Sequence, residues 1–244
     1  MEAIGVIPAR YCSSRFEGKV LADIAGKPMI QHVWERAKEA KVLDDVAIAC
    51  DDERILRVAK EFGAKAVLTA KGHISGTDRI IEVINPLEVR IVVNIQADEP
   101  LINPVTIDSL TQTMLDNPKL VMATVAKRIT DKKELEDPNV VKLVKDKNDY
   151  ALYFSRAAIP FHAVSSEVEN PIFYKHIGLY AFTKDFLFVY KNLPVSKLEL
   201  TEKLEQLRVL EEGYRIKVIE TEFDSVGVDT PEDLEKVRRI LAQR

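Results

Sequence analysis

Two hydrophobic periods alternate along the first half of the chain. Short apolar runs predict strands, and they are "AIGVIPA", "DVAIAC", "AKAVLT", "RIVVNIQ" and "LVMATVAK". The segments between them carry apolar residues on one face at helical spacing, as in "PMIQHVWERAKEA", "DERILRVAKEFG", "GTDRIIEVIN" and "NPVTIDSLTQTML". Strands that alternate with helices predict a parallel sheet with helices on both faces. "RIVVNIQ" is apolar on both sides of its pleat, which predicts a central strand.

The second half has a different pattern. "NVVKLVKD" and "DYALYFSR" predict a hairpin, and "YKHIGLYAFT" and "RIKVIE" predict further strands. "TPEDLEKVRRILAQ" predicts a terminal helix capped by Thr230. We therefore expect one α/β domain over residues 1–244, with a doubly wound, mostly parallel sheet and a ligand site at the carboxyl ends of its strands. Residues 131–183 are expected to form a β-rich insertion that serves as a hairpin, lid and dimer contact.

Composition narrows the classes of function. The 244 residues are 46% hydrophobic and 30% charged, with a net charge of −4, which is ordinary for a globular protein and argues against a nucleic-acid partner. Two cysteines are too few for a disulfide framework. No apolar run approaches the roughly 18 residues of a membrane span, and Met1 leads straight into a strand rather than a signal peptide. We expect a cytoplasmic protein with no membrane association.

A cationic loop follows the first strand. "VIPARYCSSRFEGKVL" places Arg10, Arg15 and Lys19 just beyond it, beside the expected ligand crevice. Such side chains can hold phosphate oxygens. The loop has neither GxGxxG nor GxxxxGK[ST], so side chains would grip a phosphate as much as backbone would. From composition alone, a solvated surface loop fits equally well.

The loop and six further motifs carry a resemblance to a known family. "IPARYCSSRFEGKVL" followed by "GKPMIQHVWERA" resembles the nucleotide loop of the sugar-acid cytidylyltransferases, most closely those that use 3-deoxy-D-manno-octulosonate (Kdo). The other motifs stand in the family's order and span nearly the whole chain: "HISGTDRI", "NIQADEPLI", "YFSRAAIPF", "YKHIGLYAF", "LEQLRVLEEG" and "GVDTPEDL". Phe16-Glu17 replaces a frequent Leu-Pro pair, and Ala97 replaces a frequent glycine. Glu17 adds a negative charge to the loop, so we expect it to point outward.

The resemblance implies a fold, a reaction and an assembly. The fold would be a Rossmann-like nucleotidyltransferase of the nucleotide-diphospho-sugar transferase type. The reaction would transfer CMP from CTP to the anomeric hydroxyl of Kdo, release pyrophosphate and supply lipopolysaccharide biosynthesis. The protein would be a homodimer.

The resemblance also implies roles at the nucleotide end. The CTP-binding residues would be Pro8, Ala9, Arg10, Ser14, Arg15, Lys19, Ser75 and Arg79. Asp98 and Asp229 would hold Mg²⁺, which prefers oxygen ligands, and Lys19 would act with them in catalysis. Other interpretations remain open, because Asp98 can cap a turn, Asp229 stands at an ordinary helix start, and Arg79 can form a structural salt bridge.

The sugar-acid end needs a cation and hydroxyl partners. The resemblance implies the Kdo-binding residues Gln96, Ser155, Arg156, His176, Tyr180, Glu205 and Gln206, with Arg156 clamping the carboxylate. His176 on an alternating strand also fits a structural histidine. No residue is a compelling general base, so we predict metal-assisted activation of the hydroxyl. A CMP-sialic acid synthetase or another sugar nucleotidyltransferase remains as an alternative, and so does a non-catalytic nucleotide-binding regulatory module.

Overall fold

The protein is a mixed α/β structure in the computed structural model, which describes residues 1–12, 16–73, 75–163 and 171–243. Its strands are β1 (Ala3–Ala9), β2 (Asp23–Ile24), β3 (Lys27–Pro28), β4 (Asp45–Cys50), β5 (Lys65–Leu68), β6 (Ile91–Asn94), β7 (Met122–Arg128), β8 (Lys142–Lys145), β9 (Ala151–Ser155), β10 (Tyr174–Thr183) and β11 (Lys217–Glu220). Its helices are α1 (Met29–Lys38), α2 (Glu53–Glu61), α3 (Gly76–Ile84), α4 (Pro104–Asp116), α5 (Lys132–Glu136), α6 (Lys184–Asn192), α7 (Lys197–Glu202), α8 (Leu207–Glu211) and α9 (Pro231–Ala242). A short 3-10 turn covers Lys19–Leu21.

One large sheet organises the described residues. Its main path runs β11-β7-β10-β6-β1-β4-β5, and the β8–β9 hairpin attaches to β10. β1 is parallel to both β4 and β6, and β11 is parallel to β7. β10 is antiparallel to β6 and β7, which it separates. The predicted mostly parallel sheet and the central position of β6 are therefore confirmed, with β10 as the reversed strand.

The predicted insertion is smaller than expected. Tyr174–Thr183 lies inside residues 131–183, yet it forms β10 at the centre of the main sheet. The hairpin was placed correctly, because β8 and β9 pair antiparallel. The short helix α5 was not expected. A function of this region as a lid or dimer contact stays a prediction.

Helices cover both faces of the sheet, as the alternation predicts. On one face α1 and α4 bury Ile30, Val33, Ile107 and Leu110 against the strands. On the other face α3, α6 and α8 bury a second apolar set, which includes Ile80, Ile84, Phe186, Leu187 and Leu207. Burial on both faces explains why β1 and β6 are almost continuously apolar. The two layers fix the carboxyl ends of β1 and β6, where the site lies.

Among the described residues, three helices begin with a capping box, in which the side chains of the N-cap and N3 residues each accept a hydrogen bond from the other's backbone N–H. Ser75 with Asp78, Ser196 with Glu199 and Thr230 with Asp233 each form a capping box. The predicted cap at Thr230 is confirmed, and each such cap contributes about 1 kcal/mol. Across the described ranges, no helix is both long and apolar enough to span a bilayer.

Candidate functional site

The site begins where two parallel strands end side by side. Val6 of β1 is in register with Asn94 of β6, so the loop after β1 lies beside the turn after β6. A pocket, here called the loop pocket, lies between these segments. Its lining residues come from both segments, from α3 and from the turn before α8: Pro8, Arg10, Cys12, Lys19, Val20, Gly76, Gln96, Ala97, Asp98 and Glu205. This is the crevice that the doubly wound topology predicts.

A backbone hydrogen bond closes the cationic loop, and residues that follow β4 hold the start of the loop in place. Gly18 N donates to Tyr11 O at 2.9 Å, and Gly18 adopts φ 68°, which favours glycine. Tyr11 N donates to Asp51 Oδ1 at 2.9 Å, and the Arg54 guanidinium lies 3.3 Å from the centre of the Tyr11 ring. These contacts hold both ends of the loop. The predicted CTP contacts Ser14 and Arg15 lie outside the described residues.

Lys19 brings the predicted catalytic residues together. Its Nζ donates to Asp98 Oδ2 at 2.8 Å and to Asp229 Oδ1 at 3.2 Å, although these residues are far apart in the sequence. Burial alone would lower the pKa of Lys19, but the two carboxylates outweigh it and the pKa is raised. Lys19 therefore stays charged at neutral pH. The expected outward position of Glu17 is confirmed, because that residue is exposed.

The carboxylate pair fits a magnesium ion that also binds phosphate. Among the described residues, no group of three or more His, Cys, Asp or Glu side chains could hold a metal ion alone. Mg²⁺ commonly uses one or two carboxylates and completes its shell with phosphate oxygens and water. Asp98 and Asp229 already contact one cation, the Lys19 ammonium, which shows that both carboxylates can reach a single positive charge.

A third carboxyl group lies next to this pair. Burial raises the pKa of Glu99 to about 7, and the negative charge of Asp98 adds to the effect, while a hydrogen bond from Ser225 opposes it. Ser225 Oγ donates that bond to Glu99 Oε2.

The predicted nucleoside contacts are only partly brought to the pocket. Pro8 and Arg10 line it, whereas Ala9, Ser75 and Arg79 do not. Ser75 Oγ accepts from Asp78 N at 3.1 Å as the cap of α3. The roles of Ala9 and Ser75 in binding CTP stay predictions.

Arg79 is buried beneath the loop. Its Nη2 donates to Asp51 Oδ2 at 3.3 Å, and its Nη1 donates to Thr69 Oγ1. Its Nε has no hydrogen-bond partner among the residues that the structure describes. Burial lowers the pKa of Arg79, and Asp51 partly offsets that effect. The structural salt bridge was one of the two interpretations of Arg79 from the sequence, and this interpretation is confirmed.

A second pocket, here called the sheet pocket, adjoins the loop pocket. Gly76, Gln96 and Glu205 line both. The sheet pocket lies over β6 and β10, and its further lining includes Asn94, Met122, Tyr180, Phe182, Tyr190 and Gln206. Four predicted Kdo contacts, Gln96, Tyr180, Glu205 and Gln206, therefore lie together.

The sheet pocket contains polar groups that can bind a ligand. Gln206 Nε2 is buried and has no hydrogen-bond partner within the described part of the chain, so this donor fits an acceptor oxygen of a bound molecule. Burial raises the pKa of the Glu205 carboxyl above its ordinary value, and Arg208 partly opposes that effect. The pocket thus combines apolar walls with a small number of polar groups, as small-molecule sites do.

Ser155 and Arg156 lie outside both pockets and are bound elsewhere. Ser155 Oγ donates to Glu202 Oε1 at 2.7 Å. Arg156 Nε donates to the Glu202 carbonyl at 2.8 Å, and its Nη1 donates to the Pro138 carbonyl at 3.0 Å. These bonds tie the hairpin to α7. The carboxylate clamp predicted for Arg156 stays a prediction.

His176 is held as a neutral donor. Thr124 Oγ1 donates its one proton to the Leu179 carbonyl at 2.8 Å, so it must accept from His176 Nε2, which lies 2.9 Å away. The imidazole packs between the rings of Phe154 and Tyr180 at 5.2 Å each. Burial lowers the pKa of His176 to about 3. His176 does not line either pocket, and its contact with Kdo stays a prediction.

Sequence reasoning missed several residues of the site. Asn94 lines the sheet pocket, and a polar residue at the end of the buried strand "RIVVNIQ" was an available signal. Thr124 gave a similar signal within "LVMATVAK". Tyr190, Phe182 and Met122 carried none, because their apolar helix and strand positions look the same as core positions.

Comparisons with known proteins agree on one family. The family model described as cytidylyltransferase matches residues 4–218. A 3-deoxy-manno-octulosonate cytidylyltransferase from Solibacter usitatus is 54% identical over 98% of this chain and 94% of its own length. Another from Geotalea daltonii is 47% identical over 100% of both chains.

Solved structures of other proteins have a similar three-dimensional fold. The structure of CMP:2-keto-3-deoxy-manno-octonic acid synthetase complexed with CTP is 45% identical, with a TM-score of 0.93 over 100% of this chain and 99% of that one. 4-Diphosphocytidyl-2C-methyl-D-erythritol synthase from Anaerococcus prevotii is 15% identical, with a TM-score of 0.66 over 100% of this chain and 97% of the other. The second likeness shows the shared fold alone.

Proposed function

The chain belongs to the cytidylyltransferase family, within its 3-deoxy-manno-octulosonate cytidylyltransferases, and on that premise we propose that it transfers CMP from CTP to Kdo. The anomeric hydroxyl oxygen of Kdo would form a bond to the α-phosphorus of CTP. The bond from that phosphorus to the bridging oxygen would break in line, and pyrophosphate would leave with the electron pair. The products would be CMP-Kdo and pyrophosphate, with the hydroxyl proton lost to solvent.

One observation carries the proposal. The loop pocket and the sheet pocket share Gly76, Gln96 and Glu205, so their contents would lie side by side. The loop pocket offers Arg10 and Lys19 to phosphates, and the sheet pocket offers polar groups to a hydroxylated acid. Such an arrangement supplies the proximity on which phosphoryl-type transfer depends.

The residues would act through charge and position. Lys19 can follow negative charge from the α-phosphate onto the leaving pyrophosphate, and Arg10 can hold a neighbouring phosphate. Asp98 and Asp229 would hold Mg²⁺, which when bound would neutralise phosphate charge and lower the pKa of the acceptor hydroxyl. Gln206 Nε2 can donate to an oxygen of the sugar acid.

His176 is poorly suited to be the general base. Its Nε2 already donates to Thr124, and its pKa of about 3 makes it a weak acceptor of protons. The proposal therefore assigns no proton transfer to this side chain.

Pyrophosphate release tests the proposal. The protein would be mixed with CTP, Mg²⁺ and a panel of sugar acids, and release with Kdo but not with N-acetylneuraminate is the expected result. Asp98→Asn should abolish release, since it removes a carboxylate charge from the site. Exposed Asp116→Asn, at the end of α4, is the matched control and should behave like the unaltered protein.

The same assay separates the alternatives. Release with N-acetylneuraminate alone would favour a CMP-sialic acid synthetase. CTP binding without release in the presence of any acceptor would favour a non-catalytic nucleotide-binding module.

The assembly and location belong to the same proposal. A homodimer is supported by exposed apolar residues beside and after the hairpin, where Leu152 is 61%, Phe161 88% and Ile172 48% exposed. A cytoplasmic location is supported by two cysteines that are both free thiols.

A further inference from the structure

An irregular segment carries one of the two carboxylates that contact Lys19. Residues 221–229, here called the strap, join β11 to α9 and end on Asp229. The strap has neither helix nor strand. Contacts with other elements must therefore determine where Asp229 lies relative to Asp98.

The strap is fastened to the turn that carries the other carboxylate. Val228 N donates to Asp98 O at 2.9 Å, and Ser225 Oγ donates to Glu99 Oε2. Val228 is fully buried in a small apolar cluster with residues of α1 and α9. The turn after β6 thus contacts the strap through two successive residues, Asp98 and Glu99.

Both oxygens of the Glu99 carboxyl face the strap. While Oε2 accepts from Ser225, Oε1 lies where a side chain on residue 227 would intrude, since a Cβ added to Gly227 would be 3.3 Å from it. A glycine at residue 227 lets the strap backbone lie against the Glu99 carboxyl without displacing that side chain.

We propose that Glu99 is a positioning residue that latches the strap and so holds Asp229 opposite Asp98. It would not touch substrate itself. Its effect would pass through Ser225 and the Val228 backbone to the spacing of the two carboxylates that are proposed to hold Mg²⁺. The inference rests on the proposed function, because only a transfer that uses both carboxylates would depend on that spacing.

A separate anchor holds the other end of the strap. Asp224 accepts from Lys127 Nζ at 2.9 Å and forms an ion pair with Lys175 at 2.8 Å. Thr221 N donates to Ala126 O at 2.9 Å. Loss of the Glu99 contact should therefore loosen residues 225–229 locally, while the strap stays attached to the sheet.

The test measures the strap and the metal site without turnover. Hydrogen exchange of the Val228 amide would be followed in the free protein, and Mn²⁺ binding would be measured with CTP present and Kdo absent. Glu99→Ala should speed exchange and weaken Mn²⁺ binding by about tenfold, as loss of a supporting contact to metal ligands does. CTP affinity without metal should not change. Glu99→Gln, whose amide oxygen can still accept from Ser225, should remain close to the unaltered protein.

Two further variants separate the effect of the Glu99–Ser225 contact from a general effect of mutation. Glu222→Ala removes an exposed carboxylate from the same strap and should change neither quantity. Ser225→Ala should shift both quantities in the direction of Glu99→Ala, and it decides the matter if Glu99→Ala does not fold. Unchanged exchange and Mn²⁺ binding in Glu99→Ala would overturn the proposal, as would a Glu99→Gln protein that behaves like Glu99→Ala.

The proposed function can fail separately. If the unaltered protein releases no pyrophosphate from CTP with any sugar acid, the transfer reaction is wrong. The exchange measurement on the free protein would still decide whether Glu99 latches the strap.

Discussion

The Lys19 ammonium is the cation around which the site's carboxylates are arranged. It pairs with the half-buried Asp98 and with Asp229 while its own side chain is only 10% exposed. If Asp98 and Asp229 hold Mg²⁺ as proposed, Lys19 would be well placed to bind phosphate oxygens in place of these two carboxylates. The Lys19 ammonium would therefore have anionic partners both before and after nucleotide and metal bind.

Lys19→Met should therefore reduce turnover at saturating CTP by about a hundredfold, the usual cost of losing one preorganised charge. The methionine keeps most of the apolar stem, so the loss would come from the charge rather than from packing. Steady-state pyrophosphate release measures it. Lys191→Met, on an exposed position of α6, serves as the matched control, and full activity in Lys19→Met would contradict the assignment.

His176 should remain neutral well below its ordinary pKa of about 6.5. The unfolded chain takes up this proton below that pH and the folded protein does not, so acid favours unfolding. Between pH 7 and pH 5 the protein should lose about 2 kcal/mol of unfolding free energy through His176 alone. Denaturant titrations at both values, on the protein and on His176→Asn, isolate this difference. An imidazole NMR titration near 6.5 would contradict it.

The loop after β1 depends on an anchor from neighbouring elements. Asp51, at the end of β4, receives the Tyr11 backbone amide on one oxygen and the buried Arg79 of α3 on the other. α3 and β4 therefore support a loop to which neither belongs. This relation is invisible in the sequence, because the three residues come from separate segments.

Asp51→Ala should raise the KM for CTP roughly fivefold to tenfold, since it removes a hydrogen bond that holds the loop base. It should also lower stability, because it leaves the buried Arg79 without its carboxylate partner. Arg79→Met should act mainly on stability, with a loss of about 3 kcal/mol, because it leaves Asp51 half-buried without its cation. Arg57→Met, at an exposed position of α2, is the control for both variants. Equal effects of Asp51→Ala and Arg57→Met on the KM would contradict the anchoring role.

Elements with strong local signals could be predicted from the sequence. The strands β1, β4 and β6 and the cap at Thr230 follow from short apolar runs and helix-start chemistry, and they are confirmed. The position of β10 could not be predicted, since periodicity shows that a segment is a strand but not which strands it pairs with. For the same reason Tyr174–Thr183 was assigned to the insertion.

The same distinction between local and long-range signals applies to the residues of the site. Lys19, Asp98 and Asp229 were assigned to the site because each stands in a motif at the end of an element, and the structure brings them into contact, while their catalytic roles stay predictions. Glu99 and Thr124 were missed because their importance lies in contacts with Ser225 and His176, which are distant along the chain. Local patterns identify groups that meet ligands, whereas supporting groups are defined by packing.

At the scale of the whole molecule, the exposed apolar residues around the hairpin predict self-association. Leu152→Ser combined with Phe161→Ser should convert the proposed homodimer to a monomer, because the pair removes the largest exposed apolar side chains of that surface. Light scattering coupled to gel filtration measures the mass. Val105→Ser, an exposed apolar position on α4, is the control, and a monomeric unaltered protein would contradict the prediction.

The central position of β10 has a consequence for synthesis on the ribosome. β6 and β7 are made early, yet the strand that joins them is β10, which emerges only after the whole hairpin region. Until then the nascent chain carries an unpaired apolar edge on β6, and β7 has no neighbour in the main sheet. Such an edge is open to pairing with other chains. Translation that stalls between β9 and β10 should therefore leave a product that aggregates, although every strand before β10 is already complete.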